Sequence, residues 1–163
     1  MYGVSFDLVG KHPIVLLRTA AGSRYLPIWV GQPEAAAILV KLQDGAVPRP
    51  MTHDLFASTL GAVGARLVQV SIVALRDNTY YASLVVESEG ERVEIDARPS
   101  DAIALAVRLE APIMASDDVV EAGTIEMEDE PGNRHDDASK LVEDFRRFLD
   151  DVRPDEFGSP AAP

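Results

Sequence analysis

The 163-residue chain predicts an α+β fold: antiparallel β meanders packed with three main helices in a single domain, followed by an acidic C-terminal tail carrying a short amphipathic helix. Three observations lead there. Short runs rich in Val, Ile, Tyr and Thr are separated by turn residues. Three apolar runs have helical length. The order is meander, two helices, meander, helix, rather than one strand for every helix. At 47% hydrophobic residues the chain can fill a core of ordinary size.

In chain order, residues 1–9 and 13–19 read as strands around Gly10-Lys11-His12, and 24–30 as a third after Ala21-Gly22-Ser23. Residues 32–42 contain Glu34-Ala35-Ala36-Ala37-Ile38-Leu39, a strong helix-forming run that is apolar nearly all round and implies burial on more than one side. A second helix over about 52–63 takes Thr52 as its cap, spaces Leu55, Phe56, Leu60 and Val63 on one face, and ends at Gly64. Strands follow at 66–75, 79–87 and 92–96, with turns at Arg76-Asp77-Asn78 and Ser88-Glu89-Gly90. In the first of these, Val68, Val70, Ile72 and Ala74 alternate with Leu67, Val73 and Leu75, so both sheet faces are expected to be covered. The third helix, about 100–109, is apolar enough to be buried, and a subunit interface is one place that could bury it. Residues 112–115 read as extended, and Ser116 as the cap of a small helix before Gly123.

The domain is therefore expected to span residues 1–123. Charge and Pro131-Gly132-Asn133 make 124–138 an acidic linker; Leu141, Phe145, Phe148, Leu149 and Val152 predict an amphipathic helix over 139–153; and 154–163 are expected to be disordered. Residues 1–122 hold 10 Lys or Arg against 15 Asp or Glu, a net of −5, and 123–163 hold 5 against 12, a net of −7. An acidic chain repels nucleic acid at long range, so any nucleic-acid chemistry needs a local basic or metal-containing groove. The tail, for its part, could recruit a basic protein partner.

The absence of cysteine excludes disulfides, thiolate zinc sites and a cysteine nucleophile. No run approaches the roughly 20 apolar residues of a membrane span and the N-terminus lacks a signal pattern, so a soluble cytoplasmic protein is expected. Gly-rich phosphate loops, His-Glu-x-x-His helices and Gly-x-Ser-x-Gly elbows are also missing from the sequence, which leaves nucleotide triphosphatases, zinc proteases and serine hydrolases without support.

The most informative segments are Arg49-Pro50-Met51-Thr52-His53-Asp54 and Asp96-Ala97-Arg98-Pro99-Ser100-Asp101. Each places Arg-Pro, a hydroxyl residue and an aspartate where an apolar helical run begins. Proline keeps its predecessor extended and suits the first helical turn, so each Arg should lie just outside a helix and its Asp just inside. Helix N-termini attract anions and guanidinium matches phosphate geometry, so the pattern could hold a phosphate, directly or through a metal.

Together with Leu26-Pro27-Ile28-Trp29-Val30-Gly31, with Glu34-Ala35, and with the run that continues Asp101 as Ala102-Ile103-Ala104-Leu105-Ala106, these segments resemble, in order and spacing, the bifunctional nuclease domain family. The resemblance covers about residues 1–123 and leaves the tail outside. It implies cleavage of DNA and RNA by wedge-shaped homodimers with an active site in a groove.

Phosphodiester hydrolysis needs an activated water, stabilisation of phosphate charge and help for the leaving oxygen. His53 could serve as general acid or base, since imidazole is the side chain that ordinarily titrates near neutrality. Asp54, Asp96 and Asp101 are the further catalytic candidates and could hold Mg²⁺ or Mn²⁺ through oxygen; Arg49, Arg98 and Ser100 could bind phosphate. Glu34 could add a groove carboxylate and Trp29 could stack on a base. Plainer roles stand beside these. Asp54 and Asp101 suit a helix dipole, Thr52 and Ser100 suit capping, and the arginines suit a structural ion network. Glu34 suits a helix start, Trp29 a core or interface, and His53 a hydrogen bond between loop and helix. The expected function is accordingly a nuclease of low sequence selectivity; the alternative is a non-catalytic homo-oligomeric regulatory or protein-interaction module.

Overall fold

A computed structural model of the chain describes residues 3–6 (backbone), 13–20, 22, 24–45 and 47–126. The expected amphipathic helix over 139–153, the disordered end and nearly all of the acidic linker lie outside the described residues.

The element order is β1 (Gly3–Phe6), β2 (Pro13–Arg18), β3 (Arg24–Trp29), α1 (Gln32–Leu42), α2 (Thr52–Ala62), β4 (Arg66–Arg76), β5 (Thr79–Ser88), β6 (Glu91–Ala97), α3 (Pro99–Leu109), β7 (Ile113–Ala115), α4 (Asp117–Gly123) and β8 (Ile125–Glu126). This is the α+β architecture that the sequence predicts. One sheet runs β1-β2-β3-β8 and the other β6-β5-β4-β7. All pairings are antiparallel except that of β7 with β4. β8 extends the folded region past residue 123, because Ile125 and Glu126 pair with Tyr25 and Arg24 of β3.

The second sheet is a pair of tight hairpins. Asp77 and Asn78 adopt φ of 48° and 58°, and Glu89 and Gly90 adopt 54° and 84°, the positive-φ pairs that let a two-residue turn follow the strand twist. α3 lies on β4 and β5, with α1 and α2 packed against it, and α4 bridges β4 and β3. One continuous core results, in which Val15, Ile38, Val70, Ile72, Ala82, Ile103 and Ala104 are fully buried.

Three expectations about burial change. Register shifts between Leu67 and Gln69 and between Ile72 and Ala74 move the inward set of β4 to Leu67, Val70 and Ile72, leaving Val73 43% exposed; one face of this sheet is covered, not two. α2 turns Ala57 and Leu60 inward and exposes Leu55, Phe56 and Val63, because it rides on α3 along a narrow stripe. The burial of α3 is intramolecular: Ala102 to Ala106 are closed off by α1, α2 and the sheet of the same chain.

At the end of α4, Gly123 fits against β5 and β3 only because it lacks a side chain. A Cβ there would stand 2.6 Å from the Tyr80 hydroxyl and 2.8 Å from Leu26 Cδ1. Tyr80 donates a 3.4 Å hydrogen bond to the Gly123 carbonyl, and its burial pushes its phenol pKa up. Gly123→Ala should cost about 1 to 3 kcal/mol through overpacking, more than the roughly 1 kcal/mol that alanine gains over glycine in a helix. Urea titration should show a lowered midpoint; an unchanged one would mean that this seam can open without cost.

Candidate active site

The first turn of α2 carries two functional side chains in succession, and about 100° of helical rotation per residue sends them to different places. Met51 is extended (φ −79°, ψ 175°), and its N–H donates to Asp54 Oδ2 at 2.8 Å, so Asp54 reaches back to satisfy the helix start. The other oxygen of Asp54 accepts from Arg108 Nε at 2.6 Å. Arg108 Nη1 donates to the Ala104 carbonyl at 2.9 Å and Nη2 to the Ala37 carbonyl at 3.0 Å. With its side chain 4% exposed, Arg108 ties α1, α2 and α3 together.

His53 points to the start of α3, where Nε2 lies 3.0 Å from Asp101 Oδ1. Arg98, extended just before α3, donates from Nε to Asp101 Oδ2 at 2.7 Å, and from Nη2 to Asp101 Oδ1 at 3.1 Å and to Glu34 Oε1 at 3.0 Å. The starts of α1, α2 and α3 thus converge on one cluster. His53 is 15% exposed, Glu34 18% and Asp101 32%, whereas Arg98 is 66% exposed. Gly31 leaves room for the Glu34 carboxylate, which occupies the place a Cβ at residue 31 would take.

Burial pushes the Asp101 carboxyl up, but the hydrogen bonds and charges of Arg98 and His53 outweigh it and hold the group below the usual value of 3.8. Asp54 follows the same pattern: burial raises it, and the Met51 N–H and Arg108 more than compensate. Hydrogen bonds donated to Asp101, then the charge of Asp101, then Glu34, hold the Arg98 guanidinium more firmly protonated than usual.

The other sequence candidates are distributed elsewhere. Asp96 pairs with Ser83 in register, one position before Ala97, which packs on the core; strand alternation therefore puts Asp96 on the sheet face away from α3, beside the Ser83–Glu94 hydrogen bond of 2.6 Å. Ser100 is buried within the first turn of α3, and Thr52 is likewise inside its helix; the capping positions belong to Arg98 and Met51, and neither Ser116 nor these two makes a side-chain cap bond. Arg49 lines a cavity on the opposite side of the α2 start from His53. Trp29 is 58% exposed at the end of β3, outside the core. Among the described residues no group of three His, Asp or Glu side chains is disposed to hold a metal ion. Asp54, Asp96 and Asp101 lie apart, and Arg108 and Arg98 engage two of them, so this donor set does not fit Mg²⁺ or Mn²⁺. Arg108 is the residue that sequence reasoning missed; its signal was a lone cation in an otherwise apolar helical run.

The frame is thus α+β, and the cluster it carries is a histidine held by a carboxylate beside an exposed guanidinium. The chain belongs to the bifunctional nuclease domain family, whose model matches residues 15–128. It is 40% identical over 157 residues to an uncharacterized protein of Mycobacterium tuberculosis, covering 95% of this chain and 94% of that one. It is 28% identical over 113 residues to Bifunctional nuclease 1 of Oryza sativa subsp. japonica, covering 68% of this chain, and 29% over 109 residues to Bifunctional nuclease 1 of Arabidopsis thaliana, covering 64%. The match spans 34% of each plant protein's length. No helix among the described residues is long and apolar enough to cross a membrane.

Removing the Arg108 guanidinium strands the Asp54 carboxylate and two buried carbonyls, so Arg108→Ala should lose about 3 kcal/mol at pH 7. Because the folded Asp54 carboxyl is a stronger acid than the same group in the unfolded chain, its contribution is complete above pH about 4 and vanishes as pH falls through the folded value. The deficit of the variant, read from urea midpoints, should therefore shrink between pH 5 and pH 2.5; a constant deficit would show that Arg108 acts by packing alone.

Proposed function

We propose that this protein is a cytoplasmic nuclease that hydrolyses phosphodiester bonds of DNA and RNA with low sequence selectivity, using His53 as its acid–base residue. The observation that carries this reading is the 3.0 Å contact between His53 and Asp101 beside the exposed Arg98. Family membership and the names of the plant relatives support it.

With a proton on Nε2, His53 donates to Asp101 and leaves Nδ1 as an acceptor, the arrangement in which a carboxylate fixes tautomer and orientation of a general base. Arg98 commits Nε and Nη2 to carboxylates and makes no bond from Nη1 to a described residue, leaving that atom for a phosphate oxygen. A water placed against Nδ1 gives up its proton as its oxygen bonds to phosphorus. The ester P–O bond then breaks, and the leaving oxygen is protonated by the imidazolium or by solvent. Asp101 and Glu34 keep Arg98 and His53 in place as positioning residues.

His53→Ala should lower cleavage of labelled single- and double-stranded DNA and RNA by about 10²- to 10⁴-fold. Identically purified wild type and variant would be compared with Mg²⁺, with Mn²⁺ and with chelator. Equal rates in the two would sink the role of His53, and no cleavage by wild type would sink the activity.

A second reading is favoured by the carboxylate partners of Arg98, which a purely structural network would also have. In it the clusters brace helix starts of a non-catalytic homo-oligomeric module, and the acidic tail recruits a basic protein. Both readings include a homodimer through the exposed stripe formed by Leu55 (62% exposed) and Phe56 (44%) of α2 and by Val63 (66%) at its C-cap. Leu55→Glu should convert dimer to monomer in sedimentation velocity; a protein already monomeric at micromolar concentration would remove the dimer.

A further inference from the structure

On the other side of the α2 start from the His53–Asp101 cluster lies a cavity of about 420 Å³, between the C-terminal end of α1, the connection that follows it and the first turns of α2. Its floor is the Arg108–Asp54 pair, already locked by the bonds described above. Lys41 and Arg49 line it, and neither side chain makes an ion pair or hydrogen bond with a described residue. The floor pair cancels its own charge, leaving two cations against the single carboxylate of Asp44. In a chain of net charge −12, that local excess of positive charge favours an anionic ligand at this place.

The remaining wall is apolar. Val40, Val47, Pro48 and Pro50 face the same space, and the two prolines stiffen the connection that carries Arg49. Ligand sites of about 300 to 1,000 Å³ combine an apolar lining with a few placed polar groups, and a bare phosphate would fill only part of this one. The fit is to a ligand with an anionic head of phosphate type and a body of nucleoside size whose flat base face can lie on that apolar wall.

We propose that this cavity binds a nucleoside monophosphate, its phosphate held by Lys41 and Arg49 and its base or sugar against Val40, Val47 and the prolines. The ligand is either a free nucleotide or the phosphorylated end of a nucleic acid strand. The site is separate from the His53 cluster and stands whether or not the protein cleaves nucleic acid.

Isothermal titration of the full chain with AMP tests this directly, because AMP has no phosphodiester bond to cleave. The expected result is 1:1 binding that weakens with salt, is at least tenfold weaker for adenosine, and is at least tenfold weaker in Arg49→Glu and in Lys41→Glu. Neither side chain makes a hydrogen bond or ion pair with a described residue, so Arg49→Glu should keep the wild-type melting temperature, and Lys41→Glu, in the last turn of α1, should lower it only by the small loss of a favourable helix-end charge. Asp44→Asn should tighten binding, and Val47→Trp should weaken it without changing charge. A 5′-phosphorylated, phosphorothioate-linked trinucleotide that competes with AMP would identify strand ends as the source, and one that does not compete would identify the free nucleotide. Absence of saturable AMP binding, equal affinity for adenosine, or undiminished binding by both charge-reversal variants would overturn the proposal.

Discussion

The arrangement of the helices depends on a single buried cation. Arg108 emerges from the last turn of the most deeply buried helix, where an unpaired charge would be prohibitive, and each of its three hydrogen bonds goes to a different helix. Arg98 makes as many bonds but is 66% exposed, and ion pairs at that exposure contribute about 0 to 1 kcal/mol. The two arginines of the helix layer therefore do different work. Arg108 fixes how α1, α2 and α3 sit, and Arg98 sets the charge of an accessible cluster whose geometry is inherited from that frame. Since Asp54 is held from one side, His53 at the preceding position is directed to the other, toward Asp101.

Much of the fold was legible because local chemistry marks its boundaries. Asp77-Asn78 and Glu89-Gly90 announced both hairpins, and Pro33 with Glu34 announced α1, whose limits agree with the sequence reading. Alternation failed in β4 because irregular pairing shifts the inward set by one position, a change decided by the partner strand. The stripe of α2 was misread because only contact with α3 determines which side of a mildly amphipathic helix is buried. In the candidate site, the pattern of Arg-Pro followed by aspartate did bring His53, Arg98, Asp101 and Glu34 into one cluster. It could not tell that Asp96 lies on the other sheet face or that Arg49 opens onto a different cavity. It was also blind to Arg108, which looks like an ordinary cation near a helix C-terminus until its partners on α1 and α2 are known.

Under the proposed function, the cluster would be the place where an acidic protein approaches a polyanion. Asp101 and Glu34 are already engaged with Arg98, whose Nη1 makes no bond to a described residue, so under the proposed function a phosphate would meet that nitrogen rather than open negative charge. Binding there would be an exchange among partners of one cation, weaker than capture by a bare basic groove, and a contact to phosphate carries no sequence information.

Buried alanines recur on the two packed helices α1 and α3: Ala35, Ala36 and Ala37 on the one and Ala102, Ala104 and Ala106 on the other are at most 5% exposed, alongside the equally buried Ile38, Leu39, Ile103 and Leu105. Methyl groups allow two backbones close enough for a side chain of one helix to reach a carbonyl of the other, as Arg108 does to Ala37. A layer buried this completely tolerates little change in volume. Larger residues would wedge the helices apart and glycine would loosen them, so descendants of this chain can diversify on the outer stripe of α2 and the open face of the β4–β5–β6 sheet far more freely than in the layer between, and new specificities should arise at the rim of a helix layer that itself stays fixed.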